Sequence, residues 1–336
     1  MNVLILGGTG LISTAITREL LASGVNVTHY NRGLREERFS GSVQHIVGDR
    51  RDFATFEAQI AQSGPFDCVI DMICFKPEEA HSDVRAFRGR TNHFIFCSTV
   101  DVYNRPADRY PYTESEGRIR ALSEYAQNKV LAEDVFFEAH QRGDFPVTIL
   151  RPAHTYGEGG TLIHSLGWST TYLDRVRKGK PIIVHGDGSS LWSSCHIDDA
   201  AHAFVHAICN PAAYGRAYHI TGEEWLTWNQ YHATVAAAMG APEPDLVHIA
   251  TDFLWDVAPD RFGVVKVNFQ YSNIFDNSAA KRDLDFHYTI PFLDGARRTI
   301  NWLDERGLIL NSDDDPFDDR LIALYQQMTE TVRKAL

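Results

Sequence analysis

A glycine-rich turn near the amino terminus constrains the fold of this chain more than any other feature. The apolar run Val3–Leu6 predicts a buried strand, and the residues Gly7-Gly8-Thr9-Gly10 follow it directly. Apolar residues at helical spacing then predict a helix over Leu11–Ala22. Glycines allow a tight turn and the close approach of a pyrophosphate, and the free amides at the start of the helix attract its negative charge. The order strand, turn and helix therefore predicts a dinucleotide-binding α/β fold.

Short apolar strands and helices alternate through the first half of the chain. The pattern predicts further strands at Val25–Tyr30, Val43–Val47, Phe66–Ile73, His93–Cys97 and Val147–Leu150, and helices at Phe53–Ile60, Glu78–Phe87 and Ile119–His140. This alternation is typical of a doubly wound parallel sheet with helices on both faces. We therefore predict an α/β fold of that kind for the first domain.

The pattern changes after Pro152, where glycines, tryptophans and tyrosines become denser. We expect residues 1–152, with parts of 180–210, to form the dinucleotide-binding domain. Residues 153–336 are expected to form mostly a smaller, mixed substrate-binding lobe. The predicted helix Ile197–Cys209 returns to the first domain, and an amphipathic helix is expected at the end of the chain.

Charge and cysteine content limit the partners and the compartment. The 44 acidic and 32 basic residues give a net charge of −12, which disfavours binding to nucleic acid or to anionic membranes. The five cysteines are scattered without a CxxC pair, as in proteins with reduced thiols. The first residues enter a strand at once, and no apolar run approaches the roughly 18 residues of a membrane span. We expect a cytoplasmic protein that has no signal peptide and binds a small molecule.

Residues after the second and third strands bear on the choice of cofactor. NAD-binding proteins usually place a carboxylate after the second strand, where this chain has Asn31 and Arg32. Asparagine does not repel a 2′-phosphate and arginine can clamp it, so we predict NADP, with NAD as the alternative. Arg32 as a solvated surface charge is the other interpretation. Asp49 after the third strand is either an acceptor for the adenine amino group or a helix N-cap.

Tyr125 and Lys129 are candidates for proton transfer. Their spacing places the phenol and the ammonium on one face of the predicted helix. A free tyrosine titrates near 10, and we expect the ammonium, with a positive nicotinamide ring, to lower that pKa toward neutrality. Thr99 ends the fifth strand, where a ligand of such a sheet binds. The three residues predict acid/base chemistry on a hydroxyl or carbonyl group. An exposed helix pair is the alternative for Tyr125 and Lys129 alone.

Several segments in this order resemble an extended short-chain dehydrogenase/reductase of the NAD-dependent epimerase/dehydratase family. They are GGTGLIS, FCSTVDVY, YAQNK, LRPAHTYG, GDGSSLWSSCHIDDAAHAF and SAAKRDLDFHYTIPFLDGARRTINWL. The resemblance implies a Rossmann domain with a small carboxyl-terminal substrate lobe, and a homodimer formed through helices of the first domain. It also implies Tyr125 as the acid/base, Lys129 as its helper and ribose anchor, and Thr99 as the hydroxyl partner.

The resemblance extends to the ligand contacts. The cofactor contacts that we expect are Gly7, Thr9, Gly10, Leu11, Ile12, Asn31, Arg32, Asp49, Arg50, Ser98, Tyr125, Lys129, Pro152 and His154. The expected substrate contacts are Thr99, Tyr103 and Trp192. Trp192 stands where relatives that act on sugar nucleotides carry an arginine, and His154 where they often carry an asparagine. A tryptophan offers a flat apolar wall to a sugar-like substrate, with lobe packing as the alternative.

Two other functions remain open. The segments Asn31-Arg32-Gly33 and Gly48-Asp49-Arg50 also resemble the chloroplast stem-loop-binding branch, so a non-catalytic NADP(H) sensor or an RNA-associated protein is one alternative. A dehydratase is another, although the acid/base pair expected after Thr99 is reduced here to Val100 and Asp101. The absence of a G-x-S-x-G motif disfavours a hydrolase.

The histidines near residue 200 raise the question of a metal. His202 and His206 share one helical face, but no HExxH motif and no cysteine partner accompanies them. We interpret them as part of a structural helix face and predict no metal site. Asp198 and Asp199 are expected to cap the helix that begins there.

Overall fold

The computed structural model describes residues 1–35, 39 and 41–336. The strands are β1 (Asn2–Leu6), β2 (Asn26–Asn31), β3 (Gln44–Val47), β4 (Cys68–Asp71), β5 (Phe94–Cys97), β6 (Val147–Pro152), β7 (His154–Tyr156), β8 (Ile182–His185), β9 (Leu191–Trp192), β10 (Ser194–His196), β11 (Arg216–Ile220), β12 (Leu226–Thr227) and β13 (Leu246–Ile249). The helices are α1 (Leu11–Ala22), α2 (Phe53–Gln62), α3 (Pro77–Phe87), α4 (Glu124–Gln141), α5 (Thr171–Arg177), α6 (Ile197–Ala207), α7 (Trp228–Ala238), α8 (Thr251–Val257), α9 (Pro259–Val264), α10 (Ser278–Leu284), α11 (Phe292–Glu305) and α12 (Phe317–Ala335). Among the helices described, none combines the length and the apolar character that crossing a bilayer requires.

The chain divides into two compact units. The first comprises Met1–Thr155, Ser194–Glu223 and Ile274–Ile290. The second comprises Tyr156–Ser193, Glu224–Asn273 and Pro291–Leu336. The chain therefore returns twice to the first unit.

A seven-stranded parallel sheet forms the centre of the first unit. Its strand order is β11-β6-β5-β4-β1-β2-β3, and the order reverses between β1 and β4. Val3 and Ile5 of β1 pack on the side of α1 and α6, whereas Leu4 and Leu6 pack on the side of α2, α3 and α4. The expected doubly wound α/β fold is confirmed. Ligands of such sheets bind where the strand order reverses, at the carboxyl ends of the strands.

The helix that carries Tyr125 begins later than the sequence pattern predicts. The prediction placed its start at Ile119, but α4 begins at Glu124 because the side chain of Ser123 accepts a hydrogen bond from the amide of Ala126 at 3.1 Å. Ile119 is 96% exposed and belongs to no helix. The N-cap, and not the apolar residue before it, sets this boundary.

The predicted caps of α6 were wrong. His196 caps the helix, because its Nδ1 accepts from the amide of Asp198 at 3.2 Å. Asp199 instead accepts from the amides of Thr289 and Ile290, each at 3.0 Å, and thereby holds a distant segment of the first unit.

The second unit is small and mixed, as expected. It pairs β8 with β13 in parallel and β9 with β12 antiparallel. Its core surrounds Trp228, and Gly295 of α11 is required for close packing: a Cβ there would lie 2.4 Å from the hydroxyl of Tyr156. The final helix α12 is also present as predicted.

Candidate functional site

The glycine turn adopts the conformation that a phosphate cradle needs. Gly7 has a φ of +86°, and a Cβ at this position would lie 2.4 Å from Cγ2 of Ile73. Ser13, which replaces a third glycine, is buried and donates a hydrogen bond from Oγ to the carbonyl of Gly7 at 2.7 Å. Gly10 precedes α1 without any capping side chain. The first amides of α1 are therefore left for a ligand.

A cavity of about 670 Å³ lies beside this turn in the first unit. Seven of the predicted cofactor contacts line it, namely Gly7, Thr9, Gly10, Asn31, Arg32, Asp49 and Arg50. Met72, Ile73 and Phe75, which follow β4, line it too. Leu11 and Ile12 belong to the first turn of α1 and do not contribute to the lining.

Three arginines line the end of the cavity that is formed by the residues after β2 and β3. Arg32, Arg35 and Arg51 all line it, and Arg35 donates from Nη1 to the carbonyl of Thr9 at 3.3 Å. Sequence reasoning missed Arg35 and Arg51, since arginine in a loop carries no pattern of its own. Arg51 pairs with Asp49, so the guanidinium groups of Arg32 and Arg35 are the ones that make this end of the cavity suitable for an anion.

Asp49 does not cap a helix. Its carboxylate pairs with Arg51 at 2.6 Å, and hydrogen bonds from Arg51 hold the pKa of Asp49 well below its usual range. The N-cap of α2 is Asp52, which accepts from the amide of Thr55 at 3.2 Å. Asp49 remains charged and faces the cavity, as an acceptor for an amino group would.

Arg50 lines the cavity, but its guanidinium is committed to the protein. Nη1 lies 2.5 Å from Asp71, and Nη2 lies 3.0 Å from Asp83 and 2.9 Å from the carbonyl of Glu79. Arg50 is 4% exposed and both carboxyl groups are fully buried. The structure therefore gives the guanidinium of Arg50 a structural role, and a contact of Arg50 with the cofactor stays a prediction.

The pKa values of the two carboxyl groups beside Arg50 shift in opposite directions. Despite the cost of burial, the charge of Arg50 and hydrogen bonds from Asp83 and Ile73 lower the pKa of Asp71. Burial raises the pKa of Asp83 well above its usual value. Asp71 is thus the counter-ion of Arg50, and it accepts from the amide of Ile73 at 2.7 Å. This contact fixes the turn that packs against Gly7.

The structure brings Thr99, Tyr125 and Lys129 together beside the end of β5. Lys129 is buried and donates from Nζ to the carbonyl of Cys97 at 2.7 Å. The same Nζ lies 4.6 Å from the ring centre of Phe96, 5.0 Å from that of Phe75 and 5.9 Å from that of Tyr125. Tyr125 forms a side-chain hydrogen bond with Thr99.

The expected lowering of the Tyr125 pKa by Lys129 is not found. Loss of water around the phenol and the nearby carboxylate of Asp101 raise this pKa above its ordinary value, and the hydrogen bond with Thr99 opposes them only in part. The ammonium of Lys129 lies 5.9 Å from the ring centre of Tyr125 and donates its hydrogen bond to the carbonyl of Cys97. Tyr125 is therefore protonated at neutral pH and can act as a proton donor.

Three further predicted cofactor contacts lie at or after the ends of β5 and β6 and do not line the cavity. They are Ser98, Pro152 and His154. Ser98 donates its amide to the carbonyl of Leu150 at 2.7 Å, and Pro152 ends β6. His154 lies within hydrogen-bond distance of Ser194, with 2.9 Å between Nδ1 and Oγ, and burial lowers its pKa to about 3. His154 is therefore neutral and supplies no fixed cation.

The two aromatic residues predicted to contact substrate are buried. Tyr103 is 0% exposed, and its hydroxyl lies 2.5 Å from Nε2 of His219 and 2.6 Å from Nη1 of Arg151. Trp192 is 5% exposed in the second unit, where its ring centre lies 5.1 Å from that of Trp228 and 4.9 Å from that of Phe269. Both side chains pack in cores, and packing was the alternative for Trp192.

A family profile and two relatives match most of the chain. The profile of the NAD dependent epimerase/dehydratase family matches residues 3–221. The chloroplast stem-loop binding protein of 41 kDa b from Arabidopsis thaliana is 28% identical over 260 residues, which cover 74% of this chain and 65% of that protein. The 2′-dehydrokanamycin reductase of Streptomyces kanamyceticus is 27% identical over 242 residues, covering 72% of this chain and 68% of the reductase.

Solved structures share the fold at low identity. UDP-glucose 4-epimerase from Bifidobacterium longum, in complex with NAD⁺ and UDP, superposes with a TM-score of 0.72 at 20% identity, covering 92% of this chain and all of the epimerase. The epimerase Mth375 from Methanothermobacter thermautotrophicus superposes with a TM-score of 0.75 at 17% identity, covering 91% of this chain and 93% of that protein.

Proposed function

Because the chain belongs to the NAD-dependent epimerase/dehydratase family, we propose that it is an NAD(P)-dependent oxidoreductase acting on a secondary alcohol or carbonyl of a sugar-like substrate. The observation that carries this proposal is the grouping of Thr99, Tyr125 and Lys129 beside β5, in the same unit as a cavity next to the glycine turn. A nicotinamide dinucleotide would supply or accept the hydride when bound. The φ of Gly7 and the uncapped start of α1 support the binding of its pyrophosphate.

Carbonyl reduction is the direction that the side chains favour. Tyr125 holds its proton at neutral pH, so it donates that proton to the substrate oxygen as the carbonyl is reduced. Thr99 orients the phenol and Lys129 fixes α4 against the end of β5. The relative that reduces 2′-dehydrokanamycin, as its name states, supports a reductase that acts on a sugar-like ketone.

Epimerisation remains within the proposed chemistry, and dehydration is disfavoured. An elimination needs an additional acid and base, and the residues after Thr99 are Val100 and Asp101. Asp101 forms an ion pair with Arg105 at 3.0 Å, which occupies the one carboxylate available there.

We propose NADP as the preferred cofactor. Asn31 brings no negative charge to the end of β2, and Arg32 and Arg35 line the cavity beside it. A 2′-phosphate carries the charge that these guanidinium groups would pair with.

Replacement of Tyr125 tests the catalytic proposal. Tyr125→Phe should lower the rate of substrate-dependent NADPH oxidation by about 10²-fold or more, which is the usual contribution of a positioned acid. Binding of NADPH, followed by fluorescence titration, should stay within about twofold of the wild type since the ring is retained. Tyr325→Phe, in α12 of the second unit, is the matched control. Unchanged turnover in Tyr125→Phe would refute the role of the phenol.

A non-catalytic, RNA-associated protein is the second candidate, and the similarity to the chloroplast stem-loop binding protein favours it. The net charge of −12 opposes it. Binding of NADPH with no oxidation across a panel of carbonyl substrates, together with a salt-sensitive shift of structured RNA, would support this candidate over the enzyme.

The assembly and the compartment are part of the proposal. We propose a cytoplasmic homodimer formed through helices of the first unit, as family resemblance implies. Light scattering of the purified chain measures the mass directly, and a mass of 37.9 kDa, that of one chain, would contradict the dimer.

A further inference from the structure

His202, His206 and Glu19 form a cluster on the surface of the first unit. The two histidines lie one turn apart on α6, with ring centres 4.0 Å apart. Nδ1 of His202 lies 3.0 Å from a carboxylate oxygen of Glu19, which belongs to α1. One potential ligand atom from each residue lies within 4.8 Å of the other two. The sequence showed the histidine pair, but not the third member, which is 183 residues away.

The donor set suits a transition metal of intermediate softness. Two imidazoles and one carboxylate are common ligands of Zn²⁺, and imidazole also suits Ni²⁺ and Cu²⁺. Ligand atoms about 2.1 Å from a tetrahedral Zn²⁺ lie about 3.4 Å from each other, so the observed spacing requires only small side-chain rotations. Mg²⁺ and Ca²⁺ prefer oxygen ligands and fit this set poorly.

The helices that carry the cluster are firmly held. α1 and α6 pack on the same face of the sheet, and their apolar residues share one core. The charge of Arg18, one residue before Glu19, is balanced by an ion pair with Asp198. The side chains of His202 and Glu19 are 36% and 30% exposed, and His206 is exposed. An ion can therefore reach the cluster from solvent.

We propose that Glu19, His202 and His206 form a site for a divalent transition metal, with solvent in the remaining coordination position. None of the three lines the cofactor cavity, so the site is separate from the proposed catalytic function. A bound ion would link α1, which follows the glycine turn, to α6, which lies far along the chain.

Calorimetric titration of the tag-free, chelator-treated chain with Zn²⁺ tests the proposal. The wild type should bind one ion saturably, and His202→Ala, His206→Ala and Glu19→Gln should each weaken binding by about tenfold or more, because each removes one ligand. His287→Ala is the matched control: His287 is an exposed histidine beside Asp285, and its loss should leave the affinity unchanged. Mg²⁺ should show no saturable binding.

A thermal unfolding series separates metal binding from damage to the fold. With a chelator present, the variants should melt close to the wild type, because the replaced side chains are at the surface. Zn²⁺ should raise the melting temperature of the wild type and of His287→Ala, but not that of His202→Ala. The proposal is overturned if the wild type does not bind Zn²⁺ saturably, if the alanine variants bind it equally well, or if Mg²⁺ binds as tightly.

Discussion

The ammonium of Lys129 donates a hydrogen bond to the backbone carbonyl of Cys97, with 2.7 Å between the two atoms. This contact joins α4 to the end of β5, where the chain continues into Thr99. The same ammonium makes cation–π contacts with the rings of Phe75 and Phe96. Lys129 thus positions the helix that carries Tyr125. The side chain of Tyr125 is 42% exposed, and the pKa of its phenol is raised by partial loss of water around the hydroxyl and by the carboxylate of Asp101.

The reduction rate should be insensitive to pH near neutrality. The pKa of Tyr125 lies above its ordinary value, so the phenol stays protonated, and the reduced nicotinamide ring carries no charge that would lower this pKa. We expect kcat/KM for carbonyl reduction to stay flat between about pH 6 and pH 9 and to fall only at higher pH. Rates in a constant-ionic-strength buffer series measure this, and a fall centred near pH 7 would contradict the assignment.

Removal of Arg32 should discriminate between the two nicotinamide cofactors. Arg32→Ala is expected to weaken NADPH binding by about tenfold or more, because a charge-assisted contact to the 2′-phosphate is lost, and to change NADH binding by less than about twofold. Fluorescence titration with each cofactor provides both constants. Arg333→Ala, an exposed arginine of α12, serves as the control. An equal loss for both cofactors would show that Arg32 does not read the 2′ position.

Local patterns predicted most of the first unit, because its strands and helices are set by nearby residues. The helix Leu11–Ala22 was predicted to the residue, Thr99 follows the carboxyl end of β5 as predicted, and the hydrogen bond from Lys129 to Cys97 brings α4 to that end. The start of α4 was missed because the apolar Ile119 is exposed and a serine side chain caps the helix.

Features that depend on tertiary contacts could not be predicted in this way. The guanidinium of Arg50 is directed inward by carboxyl groups 21 and 33 residues away, which no local pattern reveals. The ring of Phe75, in the segment after β4, faces the ammonium of Lys129, which lies on a helix far along the chain. The link between Glu19 and His202 likewise depends on the packing of α1 on α6.

Replacing each of the two carboxyl groups beside Arg50 by a neutral amide should change the free energy of unfolding by different amounts. Asp71→Asn removes the counter-ion of a buried arginine and should lower the free energy of unfolding by about 3–5 kcal/mol. Burial raises the pKa of Asp83, so its ionised form is costly in the folded protein, and Asp83→Asn should lower the free energy of unfolding by less than Asp71→Asn. Urea unfolding of both variants at neutral pH measures the difference, and equal losses would contradict the opposite pKa shifts of the two carboxyl groups.

The pH dependence gives a second measurement on Asp83. A carboxyl whose folded-state pKa is raised contributes its full stabilisation at low pH and loses it as the pH rises through that pKa. Asparagine does not titrate, so the free energy of unfolding of Asp83→Asn should increase relative to the wild type as the pH rises. A difference that does not depend on pH would show that folding does not raise the pKa of Asp83.

Gly7 should tolerate no side chain, for a reason beyond its backbone conformation. Gly7 and Gly24 both have positive φ, +86° and +71°, so alanine at either position should cost about 1 kcal/mol of stability through backbone strain. A Cβ at Gly7 would also meet Ile73 at 2.4 Å, whereas one at Gly24 would have no heavy atom within 4 Å. Gly7→Ala should therefore displace the turn and weaken NADPH binding by about tenfold or more, while Gly24→Ala leaves binding unchanged. Urea unfolding and NADPH titration of both variants separate the two effects, and equal NADPH affinities would show that the contact of Gly7 with Ile73 does not shape the site.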